Sequence, residues 1–112
     1  MSVEALWTVE YDVSGEWRNG GVMVLEMNRV FGGDTQYYYR GRYSVAWAKG
    51  EMEADVTVTH YHGERATPWG DDATAAMVKL WGKFDEAQIT GRMIRPGFKQ
   101  LPFRMTKRAS LP

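Results

Sequence analysis

Residues 36–47 read QYYYRGRYSVAW, and their alternation is the strongest structural signal in this chain. The odd-numbered positions from Tyr37 to Trp47 are aromatic or apolar except at Gly41, whereas Arg40 and Arg42 belong to the other set. A period of two is typical of a β-strand with one buried face and one wet face. A glycine on the apolar side indicates a bend or the close approach of another backbone. We therefore predict one long amphipathic strand here.

The same alternation continues on both sides of this strand, and turn residues divide it at intervals typical of all-β proteins. The strands are predicted over residues 6–13, 22–27, 30–31, 36–47, 51–62, 75–84 and 88–95, with a last strand containing Leu101, Phe103 and Met105. Eight strands in hairpin succession favour closure, because a barrel leaves no free sheet edge. The sequence predicts a single domain over residues 1–112, an all-β, eight-stranded antiparallel up-and-down barrel, with a sandwich as the alternative.

The composition is that of a globular protein without strong electrostatic character. Fourteen basic and fourteen acidic residues cancel, which disfavours nucleic acid and anionic membranes as partners. The absence of cysteine excludes disulfides and thiolate chemistry. No apolar run approaches the ~20 residues of a membrane span, and the first residues do not resemble a secretion signal. We predict a cytoplasmic protein with no nucleic-acid or membrane partner.

One set of alternating residues is predicted to line the barrel interior. Its members are Trp7, Val9, Tyr11, Tyr37, Tyr39, Tyr43, Trp47, Leu80 and Phe84. A tyrosine combines an apolar ring with a hydroxyl group, which suits an apolar or amphipathic small molecule. An eight-stranded barrel either fills its interior with side chains or holds one small ligand, and periodicity alone leaves both alternatives open.

The polar residues form no recognisable catalytic set. No serine lies in a Gly-x-Ser-x-Gly elbow. His60 and His62 would share one strand face, but a zinc site needs three or four placed ligands. Asp34 follows two glycines, which favours a turn that it stabilises by hydrogen bonding. Asp71 and Asp72 are interpreted as solvated loop residues. We predict a non-catalytic protein without a metal or other cofactor.

Residues 32–43, GGDTQYYYRGRY, resemble the most distinctive segment of the GrlR-like bacterial proteins, in which a Gly-Gly-Asp turn leads into a tyrosine-rich strand. Residues 6–11 (LWTVEY), 20–24 (GGVMV) and 56–59 (VTVT) follow the order of that family, so the similarity covers essentially the whole chain. The resemblance implies a lipocalin-like (calycin-like) barrel with an apolar interior. It also implies a dimeric cytoplasmic regulator, since the best-known member binds and restrains a transcriptional activator of type III secretion.

The resemblance further implies an acidic surface that binds a regulatory partner protein. The family's Glu-Asp-Glu-Asp motif falls near Glu51, Glu53 and Asp55, which here alternate with Met52 and Ala54. The implied function is therefore regulation by protein-protein contact. The alternative function, which the aromatic interior favours, is the binding of an apolar or amphipathic small molecule.

The second predicted strand, residues 22–27, is apolar on both faces. A strand of this kind needs a cover on each side, and an exposed apolar patch normally indicates a contact surface. We predict a homodimer in which Met23, Leu25 and Met27 pack against the second subunit.

Overall fold

The computed structural model describes residues 2–112 and confirms the all-β prediction. Within this range the strands are β1 Ala5–Val13, β2 Glu16–Glu26, β3 Arg29–Gly33, β4 Tyr37–Ala46, β5 Glu51–His60, β6 Ala75–Phe84, β7 Gln88–Ile94 and β8 Leu101–Ala109. A short 3-10 turn, Trp47–Lys49, separates β4 from β5. None of the helices in the described range has the length and apolarity required to cross a membrane.

Each strand pairs antiparallel with the next one, and β8 pairs with β1, so the sheet closes into a barrel. This confirms the predicted up-and-down barrel and excludes the sandwich. Four connections lie at one end, which we call the long-loop end: residues 14–15, 34–36, 61–74 and 95–100. The other connections, residues 27–28, 47–50 and 85–87, lie at the short-turn end.

The strand β2 begins at Glu16, earlier than the predicted residue 22, and runs through Gly20 and Gly21. The register between β1 and β2 shifts at this point, where Thr8 pairs with Val22. Gly21 has a φ of 86°, and its N–H donates to the Asn19 side chain at 2.9 Å. The two glycines therefore form a β-bulge inside a continuous strand.

Trp47 lies outside the barrel, so its predicted interior position is wrong. Its side chain is 54% exposed and packs edge-on against the ring of Phe84, with ring centroids 5.4 Å apart. The strand ends one residue earlier, and the N–H of Gly50 donates to the Trp47 carbonyl at 3.2 Å. The chain reversal therefore begins at Trp47 and takes its side chain off the interior face.

The predicted dimer residues Met23 and Leu25 lie inside the barrel, where they are 4% and 0% exposed. Leu25 pairs with Ala5 of β1 on the inward face, so this part of the interface prediction is wrong. Met27 is exposed but belongs to the turn between β2 and β3, where it and Asn28 have φ values of 50° and 64°. Two positive φ values are typical of a tight two-residue hairpin turn.

Side chains fill the half of the barrel near the short-turn end. The largest fully buried ones are Trp7, Phe103, Leu25, Met52, Ile89, Met105 and Val30. The indole N–H of Trp7 donates to the Val3 carbonyl at 3.0 Å, so its polar atom is satisfied within the core. Full burial of a side chain such as that of Leu25 or Met105 stabilises the folded protein by roughly 1.5–3 kcal/mol. This packed half forms the floor beneath the other half.

Candidate functional site

The half of the barrel near the long-loop end contains a cavity of about 310 Å³. Its floor and walls are mainly apolar and include Val9, Met23, Val56, Val58, Ala76, Val78, Leu80 and Met93. Its mouth carries polar groups from Tyr11, Asn19, Asp34, Gln36, Tyr39 and Thr67. Small-molecule sites typically combine an apolar wall of about this volume with a few polar groups. The barrel is therefore packed in one half and hollow in the other.

The interior residues predicted from alternation divide between these two halves. Trp7 and Tyr43 belong to the hydrophobic core, Phe84 is partly buried and packs against it, and none of the three lines the cavity. The remaining members of the set, apart from the exposed Trp47, line the cavity: Val9, Tyr11, Tyr37, Tyr39 and Leu80.

Asp34 organises the mouth of the cavity. Its Oδ1 accepts hydrogen bonds from the backbone N–H groups of Gln36 and Tyr37, both at 2.7 Å, which confirms the predicted turn. Its Oδ2 lies 2.9 Å from the hydroxyl of Tyr39, and that hydroxyl lies 2.7 Å from the Gly20 carbonyl oxygen. The turn between β3 and β4 thus places a carboxylate beside a tyrosine that points into the barrel.

The tyrosine hydroxyls of the cavity are held in their neutral form. Burial raises the pKa of Tyr39 well above its usual value, and the negative charge of Asp34 raises it further. Burial also raises the pKa of Tyr11 and of Tyr37. A tyrosine hydroxyl is protonated at neutral pH, and these shifts extend its protonation to a higher pH.

Residues 66–69, which we call the cap segment, cover the cavity at the long-loop end. Thr67 is only 7% exposed, although it belongs to an irregular connection. Trp69 packs against the core cluster, and its indole N–H donates to the Lys99 carbonyl at 2.5 Å. The connection between β5 and β6 thus forms part of the cavity wall.

Asp71 fastens the cap segment to the barrel, so its interpretation as a solvated residue is wrong. Arg95 donates two hydrogen bonds to the Asp71 carboxylate, at 2.7 and 2.9 Å, and the Thr67 hydroxyl donates a third. These hydrogen bonds hold the pKa of Asp71 well below its usual range. The Arg95 guanidinium also lies 3.8 Å from the ring centroid of Phe98. Asp72, in contrast, is largely exposed, as predicted.

The two histidines do not share a strand face, because β5 ends at His60 and His62 follows in the loop. The His60 Nε2 lies 2.8 Å from the Gly63 carbonyl oxygen, and its ring packs against that of Tyr37. Between residues 2 and 112 there is no group of three or more side chains arranged to hold a metal ion.

The acidic residues Glu51, Glu53 and Asp55 lie on the outer face of β5, with Glu53 and Asp55 exposed. The Asp55 carboxylate is 3.7 Å from the Nζ of Lys79 on the neighbouring strand, at the exposed surface. An exposed pair of this kind contributes little to stability and leaves the carboxylates accessible. Their binding to a partner protein stays a prediction.

The cap segment, Gly20 and Gln36 line the cavity but were not among the predicted site residues. One available signal was the sequence Thr67-Pro68-Trp69 within an irregular connection. A large aromatic residue in a loop often packs against the body of the protein, but neither its target nor the cavity beneath it is visible in the local pattern.

The fold and site define a closed antiparallel barrel with an internal apolar cavity and a polar mouth. No protein-family model matches this chain, and no curated protein matches it either. A functional assignment therefore depends on the chemistry of the cavity and of the outer surface.

Proposed function

We propose that this protein is a lipocalin-like, non-catalytic binding protein that holds a small amphipathic molecule inside its barrel. The cavity of about 310 Å³ carries this proposal, because it combines an apolar floor with a polar mouth. Burial of a ligand's apolar surface supplies affinity at roughly 25 cal/mol per Å². The hydroxyl, amide and carboxylate groups at the mouth orient its polar end.

Replacing Ala76 by phenylalanine is expected to weaken ligand binding at least about tenfold. Ala76 lines the cavity beside Val58, so a benzyl group at this position occupies the space that the ligand needs. A tenfold loss corresponds to about 1.4 kcal/mol. Fluorescence titration with N-phenyl-1-naphthylamine, a neutral apolar probe, measures the affinity.

The matched control is Ala75→Phe, because Ala75 is exposed on the same strand and does not line the cavity. This variant is expected to bind the probe as the wild type does. Circular dichroism and thermal unfolding establish that both variants are folded. Wild-type affinity in folded Ala76→Phe, or no saturable binding by the wild type, would contradict a ligand site in the barrel.

The outer surface supports a second candidate function, that of a cytoplasmic homodimeric regulator acting through protein-protein contact. Val22, Phe31 and Tyr38 are between 41% and 42% exposed, and the strands that carry them are neighbours in the sheet. Val24 pairs with Phe31, which extends the apolar surface along β2. A contiguous exposed apolar patch is typical of an interaction site. This patch replaces the inward-facing Met23 and Leu25 as the proposed dimer surface.

Phe31→Asp is expected to convert the proposed dimer into a monomer, because it places a charge beside Val24 in the apolar patch. Light scattering at several protein concentrations measures the molecular mass of the variant and of the wild type. Asp85→Asn provides a control away from the patch and is expected to leave the mass unchanged. A monomeric wild type, or an unchanged dimer in Phe31→Asp, would remove this surface from the proposed interface.

A further inference from the structure

The cavity lining carries a negative charge and no positive one. Along the described part of the chain, the lining residues include the carboxylate of Asp34 but no lysine, arginine or histidine. Three of the cations near the long-loop end are paired: Arg95 with Asp71, Arg65 with Asp72 at 4.0 Å, and Arg18 with Glu16 at 3.7 Å. Asp34 itself forms no ion pair within residues 2–112. An anionic ligand head would therefore face an uncompensated carboxylate.

The group formed by Tyr39, Asp34 and the Gly20 carbonyl at the mouth has more hydrogen-bond acceptors than donors. The Tyr39 hydroxyl lies within hydrogen-bond distance of both Asp34 Oδ2 and the Gly20 carbonyl oxygen, at 2.9 and 2.7 Å. A hydroxyl group has a single hydrogen and can donate it fully to one of these oxygens. Three oxygens thus share one proton, and the group has room for an additional donor.

We propose that the ligand is an amphipathic primary amine whose protonated head binds among these three oxygens. An ammonium group has three N–H donors and no acceptor, so it can donate to each of these three oxygens. Its charge also balances the carboxylate of Asp34. The apolar part of the ligand then extends toward Val78, Leu80 and Met93 in the floor of the cavity. This inference rests on the proposed ligand-binding function.

Tyr39 also favours a ligand with a protonated amine head. Its hydroxyl is neutral at neutral pH, as in an ordinary tyrosine, so Tyr39 adds no second negative charge beside Asp34. The hydroxyl oxygen also retains lone pairs that can accept a hydrogen bond from the ammonium head. The three oxygens therefore carry one formal negative charge, and each of them can accept a hydrogen bond.

A series of ligands with one tail and different heads tests this proposal. Octylamine, 1-octanol, octanoate and octyltrimethylammonium compete with N-phenyl-1-naphthylamine for the full-length wild type at neutral pH. Octylamine is expected to displace the probe at a concentration at least about thirtyfold lower than octanoate, with 1-octanol between them. Octyltrimethylammonium has the same charge but no N–H donor, so it is expected to bind about tenfold more weakly than octylamine.

Asp34→Asn removes the charge and replaces one acceptor oxygen by an N–H₂ donor, while it keeps an oxygen for the turn. We expect it to weaken octylamine binding about tenfold and to leave 1-octanol binding unchanged. Asp85→Asn is the matched control, because Asp85 accepts from the N–H groups of Ala87 and Gln88 in the same type of turn. This control is expected to retain the full preference for the amine.

The outcomes separate the ligand class from the binding function. If the probe binds in the cavity but octanoate competes as well as octylamine, the amine proposal is overturned and the binding function stands. If octylamine and octyltrimethylammonium bind equally well to the wild type, the three oxygens do not accept hydrogen bonds from the ligand head. This test does not depend on whether Asp34→Asn folds. If the wild type binds neither the probe nor any octyl compound, the proposed binding function is itself overturned.

Discussion

Replacing Gly41 by alanine is expected to lower the free energy of unfolding by about 3 kcal/mol, the upper end of the usual cost of overpacking. A Cβ atom at this position would lie 2.0 Å from the Asp55 carbonyl oxygen and 2.9 Å from the Val56 Cα. Both are backbone atoms of the neighbouring strand β5, so no side-chain rotation relieves the contact. The strands would have to separate at the pairing of Gly41 with Val56. Urea denaturation measures the change.

Gly20→Ala is the matched control for this prediction. A Cβ atom on Gly20 would lie no closer than 3.2 Å to its neighbours, the nearest of which is a side-chain carbon of Val9. A small adjustment of that side chain relieves the contact, and we expect a cost below about 1 kcal/mol. Equal stabilities of the two variants would show that β4 and β5 tolerate a side chain between their backbones at Gly41.

Leu25→Asp is expected to abolish cooperative folding or to lower the free energy of unfolding by about 4 kcal/mol or more. Leu25 is fully buried between Ala5 and Val30 in the paired strands, so the carboxylate has no access to water. A substitution that buries an unpaired charge is among the most destabilising known. Thermal unfolding followed by circular dichroism measures the effect. The sequence-based expectation was different, since Leu25 at a subunit interface would give a folded monomer.

Phe31→Asp is the comparison variant for stability. Val30 pairs with Leu25, and Phe31 is the next residue along β3 and is exposed. A substitution on the exposed face is expected to change stability by less than about 1 kcal/mol. The two variants therefore distinguish the inner face of the β2–β3 hairpin from its outer face. If Leu25→Asp folds and Phe31→Asp does not, the assignment of Leu25 to the inner face and of Phe31 to the outer face is wrong.

The alternation of residues predicted most of the fold because each strand with one wet face identifies its own buried face. This information is absent in β2, where Val22, Met23, Val24 and Leu25 are all apolar. Only the pairing of Leu25 with Ala5 shows which side faces inward. Trp47 was misplaced for a related reason, since alternation continues into the 3-10 turn although the strand has ended.

The cavity was harder to predict than the strands around it. Alternation identified Tyr11 and Tyr39 as interior residues, but whether space remains between interior residues depends on how the closed barrel packs. The contact between Asp71 and Arg95 joins positions 24 residues apart and depends on two connections without regular structure. The turn at Asp34 was predictable from adjacent residues, whereas the proximity of its carboxylate to Tyr39 required the β3–β4 register.

The bidentate contact between Arg95 and Asp71 also concerns the rate at which the proposed ligand would be exchanged. The short-turn half is packed, so a molecule bound in the cavity would reach solvent at the long-loop end, where residues 66–69 line the cavity. Movement of that segment requires the contact between Arg95 and Asp71 to break or to move with it. Affinity would then depend mainly on the cavity wall, while residence time would depend on a contact that does not touch the ligand. A molecule held with modest affinity can therefore dissociate slowly.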